Sequence, residues 1–130
     1  MDTTNREAPQ ERRSRLEAPE TAQINLSTER KRVRAQAGWQ EHGHAATTLF
    51  KYPDLRAVLI GMKAGARIPE HQSEGRLSLQ CLSGRVHVHA REQEIELLAG
   101  HLLTLERSVA HSIEAFDDSD LLLTIVLPLS

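Results

Sequence analysis

At 130 residues the chain has room for one domain and a tail, and its make-up is ordinary for a water-soluble protein: 39% hydrophobic, 26% charged, net charge −2 with neutral histidines. That balance lacks the basic excess of a nucleic-acid binder, and the single cysteine, Cys81, excludes an internal disulfide and a four-cysteine zinc site. Met1 is followed by Asp2, Asn5, Arg6 and Glu7 rather than an apolar signal core. The longest apolar run, Leu121 to Leu129, is broken by Thr124 and Pro128 and is too short to span a bilayer. The expectation is a cytoplasmic protein that engages neither nucleic acid nor membrane.

Residues 1–36 hold no aromatic side chain, and their large apolar residues are Met1, Leu16, Ile24, Leu26 and Val33. Eight basic residues stand against six acidic ones. Such a stretch buries too little apolar surface to offset chain entropy, which predicts a polar, flexible and largely disordered tail. Within it, Ser27-Thr28-Glu29-Arg30 suits the start of a short helix running to Gln36, with Ser27 as its N-cap. The alternation of Ile24 and Leu26 would also suit a strand added to a domain edge. Arg30-Lys31-Arg32-Val33-Arg34 reads as a solvated charge run, the alternative being a phosphate-contacting patch.

From residue 37 to 130 the sequence turns compact, and all four aromatics (Trp39, Phe50, Tyr52, Phe116) lie here. Short alternating segments separated by turn residues predict strands over Ala46–Lys51, Leu55–Lys63, Arg76–Leu82, Arg85–Ala90, Glu94–Leu98, Leu102–Leu105, His111–Ala115 and Leu121–Leu127. In the second of these, Leu55, Ala57 and Leu59 share one face, with Val58 and Ile60 on the other, so both faces should be covered. About eight strands with no long helix predict an all-β domain closed as a small jelly roll or β-barrel.

Two glycine-punctuated blocks frame the centre of this domain. The first runs from Gly65, with five residues between it and His71, to Gly84. The second begins at Gly100 and ends on His111. Their order, and the strands between them, resemble the two sequence motifs of the cupin superfamily. Here Ser73 stands where the first motif has its second histidine, and Leu77 where it has glutamate. Glu106, Ser108 and Ala115 replace the proline, glycine and asparagine of the second. The resemblance implies a cupin jelly roll over residues 37–130. In cupins with intact motifs, three histidines and the glutamate hold a divalent transition metal inside the barrel.

This chain retains His71 and His111 from that set. Two imidazoles supply neither the three ligands of a catalytic zinc site nor the carboxylate of a facial triad. No cofactor is therefore expected, and a divalent transition metal would need Glu74, reaching in from a turn, as a third ligand. Strand parity places Leu77, Leu79 and Cys81 toward the interior, with Cys81 as a small core residue. His87 and His89 share a face, but Val86 and Val88 supply the apolar alternation, so the histidines should face solvent. His42 and His44 fall before the first strand, and His101 follows a turn glycine and should be exposed.

His71 and His111 are thus either interior histidines kept for structure or polar anchors of a ligand pocket walled by Ser73 and Leu77. The expectation is a protein that binds a small molecule inside the barrel without a standard metal centre. The alternatives are a metal-dependent enzyme of the dioxygenase or isomerase kind, and an interaction module. A homodimer formed through open sheet edges is expected, as is common among cupins.

Overall fold

The computed structural model describes residues 20–128. The expectations for residues 1–19 lie outside the described residues. Two helices come first, α1 (Leu26–Arg34) and α2 (Ala37–His42). Nine strands follow: β1 (His44–Lys51), β2 (Leu55–Met62), β3 (Arg67–His71), β4 (Arg76–Ser83), β5 (Arg85–Ala90), β6 (Gln93–Leu98), β7 (Leu102–Leu105), β8 (His111–Ala115) and β9 (Ser119–Val126).

All pairings are antiparallel, in a five-stranded sheet ordered β1-β2-β9-β4-β7 and a four-stranded sheet ordered β3-β8-β5-β6. Only β1–β2 and β5–β6 are hairpins within one sheet. Every other connection from β2 onward crosses between sheets, which closes the jelly roll expected from the strand spacing. The core between the sheets is built from alternate residues of each strand, among them Ile60, Met62, Leu79, Val86, Val88 and Leu121.

Eight strands sit where alternation predicts them, to within two residues at each end. β3 was not expected. It contains Pro69, exposes four of its five residues and lies at a sheet edge, where proline is tolerated and apolar alternation is not needed.

The N-terminal segment departs further from expectation. Residues 26–34 are not part of a free tail. They form α1, whose Val33 is fully buried with Trp39, Ala45, Leu49, Ala57 and Leu59 in a second core on the outer face of β1 and β2. This explains why β2 is apolar on both sides: one faces the barrel and the other faces the helices. The cap is Asn25, whose side chain accepts from the Thr28 N–H at 3.2 Å, rather than Ser27. Leu26 opens the helix, so no strand forms over Ile24 and Leu26. Packing of the compact unit therefore begins before residue 37.

The charge run within α1 is not simply solvated. Arg30 Nε and Arg34 Nη2 donate to Asp120 Oδ2 at 2.9 and 3.1 Å, and Ser83 Oγ donates to the same oxygen at 2.9 Å. The Asp120 side chain is 2% exposed, so these contacts fasten α1 to β9 through a buried carboxylate.

Candidate functional site

β3 and β8 are neighbours at the edge of the four-stranded sheet, paired Ile68 to Ile113 and His71 to His111. Three steps on β3 match two on β8, so the strand carries a bulge over Pro69 and Glu70. The extra residue changes side-chain parity, and His71 turns toward the same face as Ile68 while Glu70 is exposed. The two imidazoles consequently meet, with ring centroids 4.2 Å apart at 59°.

Each ring is anchored identically. His71 Nδ1 lies 2.9 Å from the Pro69 carbonyl, and His111 Nδ1 lies 3.0 Å from the Val109 carbonyl. A carbonyl only accepts, so Nδ1 carries the proton in both rings. In the neutral form each Nε2 then keeps a lone pair. Neither Nε2 has a side-chain or backbone partner among the described residues, and His111 Nε2 is not among the buried unpartnered atoms, so it keeps some accessible surface. His71 is exposed at the rim, whereas His111 is buried. Burial depresses the His111 pKa; the Val109 carbonyl opposes that shift, and the neighbouring His71 adds to it. Burial thus favours the neutral form of His111.

The other expected site residues divide. Leu77 is buried, pairing with Leu105 and Ile125, and forms the apolar wall opposite. Ser73 lies in the β3–β4 turn, where its hydroxyl accepts from the Gly75 N–H at 3.1 Å and its carbonyl accepts from the Ser108 N–H at 2.9 Å. It serves the turn. Ser108 itself holds φ 62°, a left-handed conformation, at the position where the cupin motif has glycine. Arg76 and Glu106 form a two-pronged ion pair at 2.9 and 3.1 Å that ties β4 to the end of β7 at the rim. This pairing raises the Arg76 pKa and lowers that of Glu106.

Glu74 is exposed and does not complete a ligand set. Among the described residues no group of three or more His, Cys, Asp or Glu side chains is arranged to hold a metal ion. With Leu77 apolar and Ser73 engaged in its turn, the residues at this mouth do not fit the four-ligand centre that the intact motifs imply.

An open cavity of about 530 Å³ lies nearby, lined mostly by polar residues (Arg91, Glu92, Gln93, Thr104 and Glu106, with Ala90, Leu105 and Val109), and neither His71 nor His111 is part of its lining. One feature of the mouth escaped the reading of motifs, Arg56 on β2, whose Nε is buried without a hydrogen-bond partner. It was visible in principle as the lone cation in an otherwise apolar strand.

His87, His89 and His101 follow the sequence expectation, whereas His42 and His44, expected in a loop before the first strand, lie in α2 and at the start of β1. His87 and His89 lie on the outer face of the second sheet, both contacting the Glu94 carboxylate, with His87 Nε2 at 2.9 Å. His101 is exposed, and its Nδ1 accepts from the Leu98 N–H at 3.3 Å. No described helix is long and apolar enough to cross a membrane.

No family model matches the sequence, and no curated protein matches it. Solved structures do. A conserved protein of unknown function from Streptococcus pyogenes is 19% identical, with 87% of this chain and 93% of that one covered and a TM-score of 0.69. A cupin superfamily protein from Desulfitobacterium hafniense is 16% identical over 85% of this chain and 94% of that one, also with a TM-score of 0.69. Salicylate 1,2-dioxygenase from Pseudoaminobacter salicylatoxidans is 18% identical over 79% of this chain, with a TM-score of 0.72; this chain spans 32% of that longer protein.

Proposed function

We propose, from the premise that this chain has the cupin fold, that it binds a small molecule at the mouth of the barrel through His71 and His111 without a standard metal centre. One observation carries the reading: two facing imidazoles, both anchored through Nδ1 to backbone carbonyls, keep Nε2 atoms that have no partner among the described residues. A pair kept for structure alone would turn its ring nitrogens inward to protein partners. Here each ring is oriented, and its second nitrogen is left for something else. A ligand group that donates a hydrogen bond suits these acceptors, and His111, whose neutral form burial favours, is also competent as a general base.

A second reading, a metal-dependent enzyme of the dioxygenase or isomerase type, draws on the same anchoring. Metal-binding histidines are usually oriented by a hydrogen bond from the other ring nitrogen. It lacks a third protein ligand among the described residues. Elemental analysis of the purified protein, with a thermal-shift screen of divalent metals and metabolites, separates the two. Stabilisation by a metabolite in metal-free protein, lost in His71→Ala and His111→Ala, is the expected result. A stoichiometric transition metal, lost in those variants, overturns the metal-free reading.

The dimer is proposed on separate grounds. β1, β7, β3 and β6 are edge strands, and Leu98 and Leu102 are exposed beside two of them. Light scattering that returns a monomer mass would refute it.

A further inference from the structure

β2 reads Leu-Arg-Ala-Val-Leu-Ile-Gly-Met. Ala57 and Leu59 pack outward beneath the helices, whereas Val58, Ile60 and Met62 pack between the sheets. Alternation therefore puts Arg56 on the inner face with Val58. Register supports the same placement. Arg56 pairs with Ile125, Ile125 pairs with Leu77, and Leu77 pairs with Leu105, so these four form one row across the five-stranded sheet. Ile125, Leu77 and Leu105 all pack into the interior core. The row lies at the mouth: the next residue, Arg76, makes the rim ion pair with Glu106, and the short turn before it leads back to His71.

Arg56 Nε is buried and has no hydrogen-bond partner, and among the described residues the guanidinium has no ion pair. Its Cα partner on β1 is Lys51, a second cation, which supplies no acceptor. A guanidinium stays protonated at any physiological pH and offers five donors in a rigid fork. Holding part of it out of water without an acceptor is costly, and folded proteins rarely leave such a group unpaired.

We propose that Arg56 is the anchor for an anionic group, and that the ligand of the barrel mouth is a small organic carboxylate with an apolar body. The fork matches a carboxylate in two parallel hydrogen bonds. The row of Ile125, Leu77 and Leu105 suits an apolar body, and the free Nε2 atoms of His71 and His111 on the other sheet suit a hydrogen-bond donor. The inference rests on the mouth being a ligand pocket and adds the chemical class that the pocket selects.

The test is a titration followed by NMR at the Arg56 Nε–Hε signal and at the ring signals of His71 and His111, with benzoate, its neutral isostere benzamide, and inorganic phosphate as probes. Benzoate is expected to shift Arg56 and His111 together. Arg56→Gln should weaken benzoate by about tenfold or more while leaving benzamide unchanged. Arg56→Lys, which keeps the charge and loses the fork, should fall between. Benzamide binding as tightly as benzoate, or benzoate binding undiminished in Arg56→Gln, overturns the anchor. If benzamide still moves the histidine signals, the pocket reading survives that failure. Benzoate moving Arg56 with both histidines silent keeps the anchor and removes the pocket reading. Phosphate binding with no response to benzoate overturns the carboxylate assignment, as does silence of Arg56 toward every probe at tens of millimolar.

Discussion

At the end of the barrel where β2 leads into β3, polar side chains are held by several partners each. Asp120 Oδ2 receives three donors; Asp118 Oδ1 accepts from the Ala64 N–H at 2.8 Å; Ser119 Oγ accepts from the Arg85 N–H at 3.0 Å and donates to the Asp117 carbonyl at 2.7 Å. At the opposite end the same strands carry two imidazoles with free Nε2 atoms, a guanidinium with an unpartnered Nε, and a serine in a left-handed conformation. The closed end is dense in multiply held polar groups, although Asp120 Oδ1 and His44 Nδ1 are buried there without a partner; the mouth lacks such a network around Arg56 Nε and the two imidazoles.

The sharpest way to break this contrast is at the closed end. Gly84 holds φ 89°, and a Cβ there would lie 2.3 Å from Ser119 Oγ and 2.4 Å from the Asp118 carbonyl oxygen. Gly84→Ala is expected to cost about 3 kcal/mol or more in urea denaturation, combining a strained backbone with a clash against main chain. A cost of a few tenths would mean that the closed end yields easily. Next comes Asp120→Ala, which strips Arg30 and Arg34 of their shared acceptor. The two arginine side chains are 35% and 36% exposed, so water softens the loss to about 2 kcal/mol. The same variant should shift the emission of Trp39, the single tryptophan, against which Arg34 stacks at 4.7 Å. Unchanged emission would separate the ion pair from the docking of α1.

The mouth should respond to pH rather than to packing. The folded state depresses the His111 pKa, so the unfolded chain takes up its proton first as pH falls. Stability from this group is fully present above the ordinary histidine range and declines as pH drops toward the depressed folded value. His111→Gln should flatten that part of the stability–pH curve as pH falls below the ordinary histidine range; an unchanged curve would assign the dependence to other groups. Smallest is Ser108→Gly, which relieves a left-handed serine and should raise stability by about 0.5 kcal/mol. A loss instead would show that the Ser108 side chain contributes more than its strain costs.

How far each end was legible in sequence follows from how local its signals are. Strand alternation predicted β5, β7 and β8 to the residue because their apolar positions answer to one core. Motif spacing singled out His71 and His111, although neither their pairing across β3 and β8 nor the bulge that aims His71 was visible, since Pro69 and Glu70 carry no period. The partner of Arg30 and Arg34 lies at residue 120, beyond any local pattern, so a charge run that reads as solvated became a tether. Arg56 was hidden differently. Its neighbours gave β2 so strong an apolar pattern that one cation read as noise, when its parity with Val58 already placed it indoors.

Cys81 offers a use of its own. It is the single thiol, fully buried, and its Sγ lies 3.3 Å from the Ser83 carbonyl oxygen, with burial the main cause of its raised pKa. A thiol-specific reagent added to native protein can therefore react only when β4 parts from its neighbours. The labelling rate becomes a clock for transient opening of the barrel, readable by mass. Because Cys81 sits in the half of β4 remote from Arg76, that clock would report whether a ligand seated at the mouth steadies the whole barrel or only its rim.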